Sequence, residues 1–485
     1  MTLVGVVGAI EQVGRANHTA ERGEKMLAKP KTLNRQRIAE MSVRELEAFN
    51  AKTPGSAALY GRARKTLACG IGSSYQWRDP WPIYLKEGKG SHIWDIDGNE
   101  YLDYLNGFGS MVQGHAHPAI VKAVQKQVLH GQQFSEPVED SVIVAEELAR
   151  RWKLPKWRFT NTGSESTMDA IRIARAVTGR DTVMKIFGSY HGHHDYVMVS
   201  VPGNYGDFGP RDDYGSFSYG AGIPEAVVQM TVAVPFNDLD AMESRLKKLE
   251  TQGRVPACMI MEPAMMNIGI VLPEPGYLEG VRDLTKRYGV LLIFDEVKTG
   301  LTVAPGGGTE YWGVKSDLVA IAKSLGGGIP CGAVGGTDEA FAEVENFNVW
   351  QVGTFNGNPL AMAAAKATLF DVLTAQGYEH LGAVRKRLAD GCERVIAEHE
   401  LPAYTVTIGA KGCVTFTTEK VVDYQSYCDY QDADMMDLAW LYLANRGIYA
   451  APGRDQEFTI SVQHSLEDAD RYIEVFAEMA DELTA

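Results

Sequence analysis

The sequence predicts an α/β protein, with a mostly parallel sheet in a large domain and a smaller α+β domain beside it. Three observations lead there. Residues 290–297 and 318–322 are continuous apolar runs, each ending in charge, as expected of strands covered on both faces. Between about residue 138 and residue 335 strand-like and helix-like segments alternate, which implies parallel strands joined by helical crossovers. Beyond about residue 373 the pattern changes to isolated strands, near 412–417 and 458–462, and a closing amphipathic helix at 466–483. The expected division is an N-terminal arm (1–60), the first part of the small domain (61–120), the large domain (121–373) and the rest of the small domain (374–485).

The arm is polar, with a helix-like patch at 43–49 and a break at Pro54-Gly55, and reads as a segment packed on a partner. Residues 75–84 are dense in aromatics and prolines, hence an ordered irregular stretch, and Asp97-Gly98 between alternating segments signals a hairpin. A helix with apolar positions Val142, Ala145, Leu148 and Trp152 leads to a strand at 157–160. The turn Asn161-Thr162-Gly163-Ser164-Glu165 then opens another helix. Strand, Gly/Ser turn and helix start form an anion-binding layout, though the same residues serve equally as an ordinary helix cap. Further strands are expected at 182–187, 257–261 and 331–335, with helices at 277–288 and 361–373.

Asp295 ends the first central run, at the strand end where open α/β sheets bind ligands, and Lys323 follows the second, ahead of Gly326, Gly327 and Gly328. A lone ionised group in a dry interior costs several kcal/mol. The two are therefore a buried salt bridge or a functional pair, and a lysine opposite an aspartate suits a Schiff-base cofactor whose ring nitrogen must stay protonated.

The chain has 485 residues, 45% hydrophobic and 22% charged, as in ordinary globular proteins. Its 62 acids against 47 bases give a net charge of −15 with no basic block, so nucleic acid and anionic membranes are poor partners and small molecules better ones. Six scattered cysteines without a C-x-x-C pair read as reduced thiols in the cytoplasm, and neither an export signal nor a membrane span is recognisable. The histidines at 115, 117, 191, 193 and 194 lack metal-site spacing, so no metal is expected. Tyr190 with His191 lies beyond the 182–187 strand and would stack on a planar cofactor.

Taken together, the motifs resemble class III, fold-type I pyridoxal-phosphate aminotransferases, in particular their glutamate-1-semialdehyde aminomutase-like branch. The resemblance runs from about Gly70 to the C-terminus. It rests on Gly114-His115-Ala116-His117-Pro118, on 161–165, on Tyr190-His191-Gly192, on Glu262-Pro263, and on the segments 294–300, 322–328 and 353–359. It implies pyridoxal 5′-phosphate bound to Lys323 as an imine, Asp295 at the pyridine nitrogen, Val297 and Tyr190 on the two ring faces, and Gly163 and Ser164 at the phosphate. His191 and Glu262 complete the implied cofactor site. Thr354 would reach the phosphate of a neighbouring subunit, which implies a homodimer with sites at the interface. Ser164 stands where the family commonly has threonine, and either hydroxyl can donate to phosphate.

Two departures bear on the reaction. The aminomutases carry a carboxylate-binding arginine where this chain has Gln76, and a glutamate where it has Gln456. Glutamine cannot offer arginine's bidentate cation. The expected reaction is therefore ping-pong transfer from an amine or amino acid to a keto acid or aldehyde, with the intramolecular aminomutase reaction as the alternative. Gln76, Trp77, Arg78 and Gln456 are the candidate substrate residues, with Arg78 or Arg454 able to restore a carboxylate site. Tyr75, Trp77 and Trp81 either suit an apolar substrate group or simply pack.

Overall fold

The computed structural model describes residues 33–203, 208–453 and 457–485. A small antiparallel unit comes first, from β1 (Leu85–Lys89), β2 (His92–Asp95) and β3 (Glu100–Asp103). The Asp97-Gly98 turn forms as expected. Asp95 Oδ1 accepts the N–H groups of Asp97 at 3.0 Å and Asn99 at 2.8 Å, while Gly98 takes φ 90°.

The large sheet contains β4 (Lys156–Thr160), β5 (Val183–Ile186), β6 (Thr231–Val234), β7 (Cys258–Met261), β8 (Leu291–Asp295), β9 (Leu318–Ile321) and β10 (Gly332–Gly336). Their spatial order is β4-β10-β9-β8-β7-β5-β6. Neighbours are parallel except at β10, which is antiparallel to both β4 and β9. Alternate side chains of the central strands enter two cores. Ile260, Ile293 and Val334 face Ala170, Ile171 and Ala174 of the helix Gly163–Thr178. Met259, Met261, Leu292 and Phe294 join the main core on the other face. Burial on both faces is why these strands read as unbroken apolar runs. Each fully buried Ile, Met or Phe is worth roughly 1.5–3 kcal/mol.

The later part supplies β11 (Tyr404–Ile408), β12 (Lys411–Thr415), β13 (Ile448–Tyr449) and β14 (Glu457–Thr459). β11, β12 and β14 form an antiparallel sheet, and β13 adds in parallel to β3, tying the two ends of the chain together. The helices Ala375–Glu398 and Leu466–Thr484 pack so closely that a Cβ at Gly391 would lie 2.1 Å from Ile473 Cδ1.

Several elements differ from expectation. β6 went unread, because Thr231-Val232-Ala233-Val234 is a short run at the sheet edge. Pro54 does not end the N-terminal helical region but starts a second helix, Pro54–Ala63, from its N1 position. The described part of the arm packs on its own chain, while residues 1–32 of the segment expected to meet a partner lie outside the described residues. Ile38, Met41 and Phe49 of the helix Arg35–Lys52 are buried, and Glu45 accepts from Asn445 at 2.7 Å and Arg446 at 3.1 Å. In the helix Glu139–Trp152 the inward positions are Val144, Leu148 and Trp152, while Val142 is exposed. The 361–373 helix is α-helical over Pro359–Ala367 and then a π-helical turn, Thr368–Val372. Among the described residues no helix is long and apolar enough to cross a membrane.

Candidate active site

The carboxyl ends of β5, β7, β8 and β9 share one edge of the sheet, and His191, Glu262, Asp295 and Lys323 follow them. Asp295 is 4% exposed. Its Oδ1 accepts the Val297 N–H at 3.0 Å, and its Oδ2 lies 2.7 Å from His191 Nδ1. Burial, only partly offset by Asp295, lowers the His191 pKa. The ring is therefore neutral, donating Nδ1–H to Asp295, with the Ser189 hydroxyl 2.8 Å from Nε2. Burial, reinforced by the charge of Asp295, pushes Glu262 up to about 8. Glu262 is thus mostly protonated near neutrality, while its oxygens accept from Met266 N–H at 3.2 Å and Asn267 at 3.0 Å.

Lys323 sits at φ 42°, in the left-handed region, where a non-glycine residue is strained by about 1–3 kcal/mol. Its amine has no hydrogen-bond or ion-pair partner among the described residues. Burial first, then the positive charges of Lys298 and Lys411, bring its pKa down to about 8. An Asp295–Lys323 salt bridge, the alternative to a functional pair, is absent among the described residues.

At the start of the helix Gly163–Thr178, the Thr162 hydroxyl accepts the Glu165 N–H at 3.2 Å, which leaves the N–H groups of Gly163 and Ser164 at the open helix end. A Cβ at Gly163 would lie 2.8 Å from both methyls of Val297, so this turn closes directly against that side chain. Gly192, at φ 104°, comes equally close to Ser164, whose Oγ accepts the His193 N–H at 3.2 Å. Tyr190 is half-buried, with the Tyr75 ring edge-on at 5.6 Å, and Tyr75 also lies 5.8 Å from the Phe108 ring.

The substrate candidates are less assembled. Gln76 Oε1 accepts the N–H groups of Gly72 at 3.0 Å and Ser73 at 3.2 Å, capping its own turn. Arg78 donates to the carbonyls of Tyr75 and Trp77, its Nε is buried without a partner among the described residues, and burial lowers its pKa. Trp77 is half-buried, whereas Trp81 packs on the arm through a 2.9 Å bond to Thr53. Gln456 and Arg454 lie outside the described residues. Thr354 is exposed, in a run with Trp350, Val352 and Phe355.

Sequence reasoning missed a buried ionic cluster. Glu457 bridges Lys298, at 2.8 Å, and Lys411, which also donates to Thr459 at 3.2 Å. Burial alone would raise the Glu457 pKa, but the two lysines outweigh it and hold the carboxyl well below the ordinary range. Lys185 was missed too, although a lysine inside Val183-Met184-Lys185-Ile186 was visible. It is fully buried, bonded to the carbonyls of Ser189, Val199 and Ser200, and burial brings its pKa to about 7.

The architecture is that of the fold-type I pyridoxal-phosphate enzymes. A glutamate-1-semialdehyde aminomutase from Pseudomonas aeruginosa PAO1, solved with PMP, superposes with a TM-score of 0.84 at 30% identity, covering 93% of this chain and 99% of that one. An omega-transaminase from Sphaerobacter thermophilus gives 0.82 at 31% identity, covering 89% and 98%. Residues 73–431 match the family described as Aminotransferase class-III. The chain belongs to that family and is a pyridoxal-phosphate-dependent enzyme. Among curated relatives, the glutamate-1-semialdehyde 2,1-aminomutase of Syntrophobacter fumaroxidans is 40% identical over 81% of this chain and 89% of its own length. That of Methanocaldococcus jannaschii is 36% identical over 88% and 98%.

Proposed function

We propose that the enzyme moves an amino group between an amine or amino acid and a carbonyl compound, with Lys323 as the cofactor's imine lysine. The observation that carries this is the Lys323 amine, unbonded and with a lowered pKa, at the same sheet edge as the Asp295–His191 pair. The residues present fit the cofactor. An open helix end at Gly163 and Ser164 suits its phosphate, Val297 and Tyr190 suit the faces of its ring, and Asp295 keeps lone pairs for a ring N–H. When bound, pyridoxal phosphate supplies an electron-withdrawing ring that lets a proton leave the carbon bearing the transferred nitrogen. Asp295, held by His191 and Val297, would face the ring nitrogen and keep it protonated. The Lys323 amine would take the substrate proton and return it, and a pKa near 8 suits an amine that must do both near neutral pH.

We infer intermolecular transfer from Gln76, a neutral side chain committed to its own turn where the aminomutases carry their carboxylate-binding arginine. The names of the curated relatives favour the other reading, the intramolecular aminomutase reaction, and the comparisons lend it more weight than transfer between molecules. The deciding experiment supplies glutamate-1-semialdehyde alone, and separately an amine panel with pyruvate or 2-oxoglutarate. Amine-dependent formation of alanine or glutamate supports transfer between molecules; efficient isomerisation with no transfer from any amine overturns it.

The reading includes a cytoplasmic homodimer with Thr354 at the partner's phosphate, supported by the exposed apolar run Trp350, Val352 and Phe355. The division into arm, large domain and split small domain is supported by the pairing of β13 with β3.

A further inference from the structure

A cavity of about 570 Å³ opens where the C-terminal end of the helix Glu139–Trp152, the helix Gly307–Trp312 and the π-helical turn Thr368–Val372 meet. None of the Lys323 crevice residues lines it. Its charged lining comprises Arg150, Arg151, Lys153 and Lys315 against Glu147 and Glu310. An excess of cations stands out in a chain of net charge −15.

Both acids are already engaged. Glu147 accepts from Arg150 and Arg151 at 2.7 Å, and Glu310 Oε2 accepts the Gly306 N–H at 2.6 Å. Arg151 is 8% exposed and donates through Nη2 to the Leu369 carbonyl at 2.6 Å, yet its buried Nη1 has no hydrogen-bond partner among the described residues. A buried guanidinium N–H left unpaired calls for an explanation, and an oxyanion arriving from the cavity supplies one. The Tyr378 hydroxyl donates to the Leu301 carbonyl at 2.9 Å and interacts weakly with Arg151, without meeting hydrogen-bond geometry toward Nη1. Lys153 and Lys315 are exposed and have no ion pair among the described residues. The inner wall is preformed, because Trp152 and Thr309 are both bonded to the buried Glu296, at 3.2 and 2.6 Å.

We propose that this cavity binds a small organic polyanion, a molecule carrying two or more carboxylate or phosphate groups. The volume is that of a small-ligand site, and the unpaired Arg151 N–H with the lysines Lys153 and Lys315 provides cations for more than one anionic group.

The test is calorimetric titration of the pyridoxal-phosphate-loaded enzyme at low ionic strength, with citrate in one arm and pyrophosphate in the other. The variants are the double substitution Lys153→Ala with Lys315→Ala and, separately, Arg151→Lys. The double variant touches only exposed side chains, so its melting temperature and basal activity stay at wild-type values. Saturable binding of either probe, weakened about tenfold or more in the double variant, supports the site, and the arm that binds tells carboxylate from phosphate. No saturable binding of either probe to the wild type, or equal affinity in the double variant, overturns it.

Discussion

The two sides of the proposed catalytic crevice, one assigned to cofactor and one to substrate, are built differently. On the cofactor side, Asp295, His191 and Gly163 are fixed by strands and a helix start, and their contacts are with one another: Asp295 with His191, Gly163 with Val297. On the substrate side, Gln76 and Arg78 lie on an irregular turn and bond mainly to their own neighbours. On the proposed assignment, rigid scaffolding carries the chemistry that the family shares, while the loop-borne side is free to vary with substrate. Removing a cofactor-side group should therefore cost much, and changing the substrate side should alter selectivity at little cost.

The largest expected effect lies at Glu457, whose charge acts on Lys323. Glu457→Gln leaves Lys298 and Lys411 buried beside a neutral amide. Breaking a buried pair of this kind costs about 3–5 kcal/mol, read as a fall in denaturation midpoint. The wild-type cluster also sets a pH dependence. The folded Glu457 pKa lies below its unfolded value of about 4.3, so its contribution is present above that value and is lost as pH falls toward the folded pKa. Acid melting curves of wild type and variant should converge as pH falls below about 4; parallel curves would show that the carboxylate contributes nothing.

Next comes Asp295→Asn, which should retain cofactor but lower turnover at least about tenfold, equivalent to about 1.4 kcal/mol of barrier. A neutral amide makes weaker hydrogen bonds than a carboxylate and cannot balance a cationic ring. A smaller loss would reduce Asp295 to a structural role and erase the contrast between the two sides. The smallest effect is expected of Gln76→Arg, with an unchanged cofactor spectrum and a gain of less than about tenfold in kcat/KM for carboxylate-bearing substrates, because one charge on an exposed turn is worth about 1 kcal/mol or less. A spectrum altered as strongly as in Asp295→Asn would place Gln76 with the cofactor groups.

This division also explains what was legible in the sequence. Asp295 and Lys323 stood out because each interrupts an apolar run at its end, and the parallel sheet could be read because both of its faces are covered. The Lys298–Glu457–Lys411 cluster joins positions far apart in sequence, each unremarkable alone, and only the folded chain brings them together. The packing of the arm on its own helix Ala433–Asn445 was hidden for the same reason, since no local pattern names the surface a helix will meet. Val142 was misplaced because two apolar stripes on one helix fit the same spacing, one buried and one exposed.

The central claim concerns the Lys323 amine rather than those of the buried lysines, and peptide mapping by mass spectrometry after borohydride reduction of the cofactor-loaded enzyme tests it most directly. The account predicts a pyridoxyl adduct on the peptide containing Lys323 and loss of that adduct in Lys323→Ala. An adduct on Lys185, Lys298 or Lys411 instead, or no adduct on any peptide, would contradict it.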